Sequence, residues 1–321
     1  MTIEPDAAPP ARRTYSFLGP AGTFTEAALA QVPEARDQTW RPVRNVGEAL
    51  ADVVEGRSDA AMIAIENSVD GGVSTTQDAL ATVPGLRIVG EYLVPVEFVL
   101  VAKPGIALED VSVIAAHPVA YAQCLNWLTE RLPAHAHIPA ASNVAAAVGI
   151  VEGVIDADAA IAPPGIRNVY DLDLLAEKIG DNPNAVTRFV LVSRTTAPPA
   201  PTGADKTSLI VELPEDHPGA LLELLEQFAT RGINLSLLAS RPIGDALGRY
   251  RFVIDADGHI SDERMADALL GLRRFSPRVL FLGSYPRADR AINRYPERYS
   301  DDVFVEARDW LRGLMSGEPE D

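Results

Sequence analysis

The chain has 321 residues, 47% of them apolar, and a formal net charge of −17. This length suits two or three compact units. The acidic balance argues against a protein that binds nucleic acid or an anionic membrane surface, because both partners need a basic face. The single cysteine, Cys124, excludes an intrachain disulfide and a cysteine-based zinc cluster.

The N-terminal segment, residues 1–13, contains three prolines and lacks the apolar core of a signal peptide. No stretch reaches the roughly 18 apolar residues of a membrane span. We therefore expect a cytosolic protein.

Strand-like and helix-like segments alternate over residues 14–194, which predicts an α/β domain with a largely parallel sheet. Ligands of such sheets bind at the carboxyl ends of the strands. The predicted strands are 15–18, 60–65, 93–102, 111–115, 159–162 and 189–192. The predicted helices run from Thr23 to about Gln31, with a capping box completed by Glu26, and from 142 to 151. A further helix follows Pro118, and the residues on its apolar face are Tyr121, Cys124, Leu125, Leu128 and Leu132.

A Pro-rich linker at 195–205 separates this domain from a second one at 206–286, and an acidic tail follows at 287–321. The sequence pattern of the second domain predicts the order βαββαβ, which is the ferredoxin-like order. Its predicted elements are strands 208–213, 233–238, 249–255 and 279–282, helices 218–231 and 263–274, and a Gly-rich turn between the two middle strands.

Four segments of the first domain place polar or Gly-rich groups next to a strand. The first, residues 19–25, allows close backbone approach and presents the N–H groups of a helix start to an anion, or is a plain turn. The second contains Glu66, Asn67 and Ser68, which suit carboxylate or hydroxyl binding or an Asx-type turn.

The third segment, residues 117–124, places Gln123 where it is free to point into a cleft. We interpret Cys124 as a core thiol and His117 as a loop hydrogen-bonding residue, with a general-base role left open. In the fourth, Thr187 supplies a hydroxyl, Arg188 a cation for a carboxylate and Phe189 an apolar wall.

We interpret His135 and His137 as surface residues, because no third metal ligand lies nearby. The sequence has no P-loop, dinucleotide fingerprint, nucleophile elbow or zinc spacing. It therefore predicts a site without metal or cofactor, built from Thr, Asn, Ser, Gln and Arg to bind a small anion.

In this order and spacing, residues 17–26, 65–68, 117–124 and 187–189 resemble the motifs of the prephenate dehydratases. Residues 217–221, 239–242 and 282–286 resemble the effector motifs and the closing strand of an attached ACT domain. Three positions depart from the family pattern: Ala116, where many members carry serine, residues 139–142, which lack an acidic residue, and Ala239, where glutamate is usual.

The resemblance implies a two-lobed α/β catalytic domain that is periplasmic-binding-protein-like, with the site in the cleft between its lobes. It also implies a carbon–oxygen lyase that converts prephenate to phenylpyruvate in L-phenylalanine biosynthesis. It implies that Thr187 is essential, with Arg188 and Phe189 beside it. The implied substrate-binding residues are Thr23, Phe24, Glu66, Asn67, Ser68 and Gln123. The implied effector residues for L-phenylalanine are His217, Pro218, Gly219, Ala220, Leu221, Asn234, Leu235, Ser240, Arg241 and Pro242.

ACT domains commonly pair, so the resemblance also implies a homo-oligomer, a dimer or tetramer, that L-phenylalanine inhibits. Deleting residues 196–321 is expected to leave weaker, phenylalanine-insensitive activity. Three alternatives remain at this point: an arogenate dehydratase, a non-catalytic small-anion-binding protein of two lobes, and an amino-acid sensor with a vestigial first domain.

Overall fold

The computed structural model describes residues 12–215, 217–244 and 248–317. The N-terminal segment, the centre of the Gly-rich turn and the end of the acidic tail therefore lie wholly or partly outside the described residues. By its contacts the chain forms two compact units, one from the residues up to 69 together with 94–189, and one from 70–93 together with the residues from 190 onward.

The regular elements begin with short strands and helices in alternation, as the sequence predicts. Up to residue 95 they are β1 (Thr14–Leu18), α1 (Phe24–Leu29), β2 (Thr39–Val43), α2 (Val46–Val54), β3 (Ala60–Asn67), β4 (Gly71–Gly72), α3 (Ser74–Thr82) and β5 (Leu86–Pro95). From residue 99 to the linker they are β6 (Val99–Ala102), β7 (Val113–Ala116), α4 (Pro118–Ala122), α5 (Leu125–Arg131), β8 (Ala136–Pro139), α6 (Asn143–Glu152), β9 (Ala159–Ala162), β10 (Asp173–Ala176) and β11 (Val186–Arg194).

Two sheets result. The first has the strand order β2-β1-β3-β11-β5, with β1 parallel to both β2 and β3. The second has the order β10-β6-β9-β7-β8, in which β7 is parallel to β8 and β9 while β6 runs antiparallel to β9 and β10. The α/β class and the two sheets confirm the prediction, although the second sheet is mixed.

The predicted single strand 93–102 is wrong, because the chain leaves β5 at Pro95 and starts β6 at Val99. The predicted helix after Pro118 is also divided, into α4 and α5. Cys124 has non-helical angles, φ −119° and ψ 7°, and this break changes the helical phase. Leu125 is consequently 44% exposed instead of lying on the buried face, whereas Cys124 and Leu128 are buried as predicted.

The second unit contains the predicted βαββαβ order. Its elements are β12 (Asp205–Glu212), α7 (Ala220–Ala229), β13 (Leu235–Pro242), β14 (Tyr250–Asp257), α8 (Glu263–Phe275), β15 (Val279–Pro286) and α9 (Asp301–Ser316). The four strands form an antiparallel sheet in the order β13-β14-β12-β15. One face packs on α7 and α8 through a core that includes Leu209, Leu224 and Met265.

Helix α7 starts at Ala220 and not at the predicted Pro218, because Gly219 has a positive φ of 96°. In the predicted tail, α9 is joined to the start of α8, where Asp301 accepts a hydrogen bond from the Glu263 N–H at 2.9 Å. Across the described residues, no helix has the length and apolar character needed to cross a membrane.

Candidate active site

The loop before α1 is organised around Thr23. Its Oγ1 accepts a hydrogen bond from the Glu26 N–H at 3.2 Å and its hydroxyl donates to the Leu18 carbonyl at 3.1 Å. The Glu26 carboxylate accepts the Gly22 N–H at 2.5 Å, so it reaches one residue further back than in a standard capping box. One of the N–H groups expected to face an anion is therefore already bonded to a carboxylate.

Thr23 and Phe24 line a cavity of about 310 Å³ in the first unit. Phe24 packs edge-on against Phe98, with ring centroids 5.8 Å apart. The loop lies close to the turn after β9, since a Cβ at Gly22 would stand 3.1 Å from the Ile166 Cα. The other residues around the cavity are Gly22, Ala27, Val94, Pro95, Glu97, Pro163, Pro164 and Gly165.

The second and fourth polar segments meet where β3 ends and β11 begins. Asn67 Nδ2 donates to Thr187 Oγ1 at 2.9 Å, and Asn67 Oδ1 accepts the Val69 N–H at 2.8 Å. The second bond is the Asx-type turn that the sequence left open. Ser68 bonds to Val186 through both its N–H and its hydroxyl, each at 2.9 Å.

These bonds determine what the Thr187 hydroxyl is able to do. Because the Asn67 oxygen is held by Val69 N–H, the amide nitrogen faces Thr187, whose Oγ1 is the acceptor. The hydroxyl hydrogen of Thr187 is thus not used by Asn67. The side chain lies in a nearly dry environment, since Thr187 is 9% exposed.

Glu66 and Arg188 form a second pair between the same strands, with Arg188 Nη1 at 3.3 Å from Glu66 Oε2. Successive side chains of a strand point to opposite faces, so this pair lies on the face opposite Asn67 and Thr187. The cation that the sequence assigned to a substrate carboxylate is consequently paired with Glu66. Phe189 is 2% exposed and belongs to the protein core.

The third segment contains His117 at the start of α4. His117 Nδ1 accepts the Val119 N–H at 3.3 Å and the His117 N–H donates to Asn143 Oδ1 at 3.2 Å. This confirms His117 as a loop hydrogen-bonding residue. Cys124 is fully buried, and burial, together with the negative charge of Asp181, raises the pKa of its thiol to about 12. The prediction of a core thiol is therefore confirmed.

Gln123 lies at the break between α4 and α5. Its carbonyl accepts the Asp181 N–H at 2.7 Å, and the Asp181 carboxylate accepts the N–H groups of Asn126 and Trp127. The loop that precedes Thr187 is thereby attached to the Gln123 turn. Of the predicted site residues, the structure bonds Asn67 directly to Thr187, places Thr23 and Phe24 on the cavity, and bonds the Gln123 carbonyl to the loop that precedes Thr187.

The interpretation of His135 and His137 as surface residues is wrong. The His137 ring stacks on the Tyr121 ring, with the ring centroids 3.9 Å apart, and Tyr121 Oη lies 2.8 Å from His135 Nε2. Both histidines are therefore half-buried packing partners of one tyrosine. Within the part of the chain that the structure describes, no group of three or more His, Cys, Asp or Glu side chains is arranged to hold a metal ion.

Family models match most of the chain. The model described as prephenate dehydratase matches residues 15–197, and the model described as ACT domain matches residues 207–274. The chain belongs to the prephenate dehydratase family. A prephenate dehydratase from Mycobacterium tuberculosis is 42% identical over 95% of each chain.

Among solved structures, the prephenate dehydratase of Arthrobacter aurescens in complex with L-Phe is 54% identical, with a TM-score of 0.91, and the match covers 94% of this chain and 99% of that one. A protein described as GqqA, a novel type of quorum quenching acylase, is 32% identical with a TM-score of 0.76. That match covers 85% of this chain and 98% of the acylase. Members of the prephenate dehydratase family and this acylase thus share one architecture.

Several residues that line the cavity are not among the site residues predicted from the sequence. Pro163, Pro164 and Gly165 follow the buried strand β9 directly. Their position at the carboxyl end of a strand is a signal for a ligand site, but they carry no polar side chain to mark it. Glu97 lies between β5 and β6, inside the segment that was predicted as one strand.

The predicted effector residues fall in two parts of the ACT domain, the turn before α7 and the segment that contains the edge strand β13. Gly219 precedes α7, and β13, which carries Leu235, Ser240, Arg241 and Pro242, is an edge strand. Asn234, just before β13, donates to Asp257 Oδ2 at 2.8 Å. Arg241 is paired with Asp78 at 2.6 Å.

Proposed function

We propose that this chain converts prephenate to phenylpyruvate with loss of carbon dioxide and water, as a cytosolic carbon–oxygen lyase of L-phenylalanine biosynthesis. The observation that carries the proposal is the bond from Asn67 to Thr187, which orients a buried hydroxyl at the residue that the family resemblance makes essential. Membership of the prephenate dehydratase family supports the choice of substrate.

The proposed reaction needs little acid–base chemistry from the protein. The carbon–carbon bond to the ring carboxylate breaks, its electron pair enters the ring, and the ring hydroxyl departs as hydroxide, which becomes water on taking a proton. A threonine hydroxyl has too high a pKa to be an ordinary general acid at neutral pH. Thr187 therefore acts by donating a hydrogen bond to the departing oxygen, in a site with little water.

The substrate carboxylates need partners other than a free arginine. Arg188 is already paired with Glu66 and faces away from Thr187. We assign one carboxylate to the cavity that Thr23 and Phe24 line. Gln123 and Ser68 complete the proposed set of substrate contacts.

Regulation by L-phenylalanine is the second part of the proposal. The chain has an ACT domain, and the Arthrobacter relative is described as a complex with L-Phe. The exposed edge strand β13 suits pairing with another chain, since its N–H and C=O groups on that side are available to a neighbouring strand. We therefore propose a homo-oligomer, a dimer or tetramer, with effector sites near β13.

The test is turnover of prephenate by the purified full-length chain, followed as phenylpyruvate formation with and without L-phenylalanine. Arogenate is offered in parallel, and an N-acylated amine tests the acylase activity named for the 32% identical relative. Phenylpyruvate formation from prephenate that falls when L-phenylalanine is added is the expected result. A folded protein that leaves prephenate unchanged contradicts the proposal.

A further inference from the structure

Residues 70–93 belong to the same unit as the ACT sheet, and polar contacts attach them to it. Lys206 Nζ pairs with Glu91 Oε2 at 2.9 Å, with both side chains at most 9% exposed. Arg278 Nη2 donates to the Ala81 carbonyl at 3.2 Å. A segment that lies between two parts of the catalytic domain in sequence is thus packed against the regulatory sheet.

Asp78, on α3, is held by two arginines of this sheet. Arg241 donates to both carboxylate oxygens, from Nε at 3.2 Å and from Nη2 at 2.6 Å, and Arg251 donates from Nη2 at 2.6 Å. The Arg241 contact is bidentate, the geometry in which a guanidinium binds a carboxylate most strongly. Hydrogen bonds from Arg241 lower the pKa of Asp78, so the carboxylate is ionised at neutral pH.

The two arginines face each other across neighbouring strands, since Arg241 of β13 pairs in register with Arg251 of β14. Like charges directly opposite each other in a sheet repel, and the side chain of Arg251 is only 7% exposed. The negative charge of Asp78 contacts both guanidinium groups and offsets part of this repulsion. The position of α3 on the sheet is therefore coupled electrostatically to the conformation of β13 at Arg241.

One end of this contact belongs to the predicted effector set, through Arg241. The other end leads to the proposed catalytic residues, because α3 begins at Ser74, seven residues after Asn67. The boundary between the two units falls directly after Val69 and directly after Phe189, next to both catalytic motifs. Six residues, 68–73, thus connect α3 along the chain to Asn67, which donates a hydrogen bond to Thr187.

We propose that Asp78 is a positioning residue that transmits effector occupancy at β13 to the Asn67–Thr187 pair through α3. This inference rests on the proposed function, because it names the path by which L-phenylalanine lowers the turnover of prephenate. A ligand shifts such an equilibrium only if it binds one arrangement of the Arg241 strand better than the other. Asp78 makes the arrangement of α3 depend on that of the strand.

The experiment compares the full-length protein with Asp78→Asn, which keeps the shape and removes the charge, and with Asp78→Glu, which restores the charge. Asp267→Asn is the matched control: Asp267 is 44% exposed and pairs with Arg231 at 2.6 Å, whereas Asp78 is 40% exposed and pairs with Arg241 at the same distance. Turnover, L-phenylalanine binding by calorimetry, and hydrogen exchange of residues 66–82 are measured for each.

We expect Asp78→Asn to need at least tenfold more L-phenylalanine for half-inhibition, while uninhibited turnover stays within about threefold and the dissociation constant within about fivefold. Asp78→Glu is expected to regain inhibition, and Asp267→Asn to behave as the unmodified protein. Addition of L-phenylalanine should change exchange over 66–82 in the unmodified protein but not in Asp78→Asn.

Normal inhibition of Asp78→Asn overturns the inference, and so does a loss of inhibition shared by Asp267→Asn. Loss of L-phenylalanine binding in Asp78→Asn also overturns it, because Asp78 would then belong to the effector site itself. A protein that binds L-phenylalanine and changes exchange over 66–82, but does not turn over prephenate, contradicts the proposed function and leaves the Asp78 path supported.

Discussion

The side-chain amide of Asn67 donates a 2.9 Å hydrogen bond to the Thr187 hydroxyl, although the two residues lie 120 positions apart in the sequence. The Val69 N–H fixes the orientation of that amide. The bond therefore occupies a lone pair of Thr187 and leaves its hydrogen for another acceptor. In the proposed mechanism that acceptor is the oxygen that leaves the substrate.

Replacement of Thr187 by alanine is expected to lower kcat about a hundredfold or more, the usual cost of removing one positioned donor in the transition state. Thr187→Ser keeps the hydroxyl and should retain most of the rate. Steady-state kinetics, with circular dichroism to check folding, measure both. A near-normal kcat in folded Thr187→Ala removes Thr187 from the mechanism.

Asn67→Ala is expected to lower kcat by about tenfold to a hundredfold, because the Thr187 hydroxyl loses the partner that orients it. The effects of the two substitutions should not add, so Asn67→Ala in a Thr187→Ala background should cost far less than it does alone. The four variants of this double-mutant cycle are compared by kcat. Additive losses would show that Asn67 acts independently of Thr187.

Cys124→Ser is expected to keep kcat within the same order of magnitude and to lose some stability, since a hydroxyl replaces a thiol against apolar neighbours. The fully buried thiol has a pKa of about 12 and is protonated at neutral pH, so it is no nucleophile. A folded but inactive Cys124→Ser variant contradicts this assignment.

The same thiol makes a pH-dependent contribution to stability. Its pKa is raised from 9.0 to about 12 on folding, so above pH 9 the unfolded chain binds fewer protons than the folded one. The contribution is present below pH 9 and is lost as the pH rises toward 12, by at most about 1.4 kcal/mol per pH unit. Denaturant unfolding of Cys124→Ala should show a correspondingly shallower alkaline decline than the unmodified protein.

Lys206→Met is expected to lower the free energy of unfolding by about 3–5 kcal/mol, because the buried Glu91 carboxylate loses the ammonium group that lies 2.9 Å from it. The double variant Lys206→Met, Glu91→Leu should recover much of that loss, since it also removes the buried carboxylate. Urea denaturation of the three proteins measures the difference. Equal stability of the single variant and the unmodified protein would mean that the pair is well solvated.

This pair also bears on the sequence-based expectation for a deletion of residues 196–321. Such a deletion removes Lys206, Arg241 and Arg251, which are the partners of Glu91 and Asp78. We therefore expect the shortened chain to be unstable, and its activity is a poor measure of insensitivity to L-phenylalanine. Thermal unfolding of the shortened chain compares it with the full-length protein.

The fold class, the βαββαβ order of the ACT domain and the family could all be predicted from the amino-acid sequence. Thr23 and Ser142 cap the starts of α1 and α6 as predicted, because capping depends on residues three positions apart. The burial of Cys124 followed from its apolar neighbours. Such features depend on residues that are close together in the sequence, so local residue types and periodicity are enough to predict them.

Tertiary structure alone decided which of the predicted polar groups are available. The pairing of β3 with β11 sets Asn67 beside Thr187 and turns Arg188 toward Glu66 on the opposite face. Helix α3 and the first part of β5 lie in the catalytic domain by sequence but pack on the regulatory sheet, where Asp78 meets Arg241. These partners are 120 or more positions apart, and no local pattern records which distant charge or hydroxyl a side chain will meet when the chain folds.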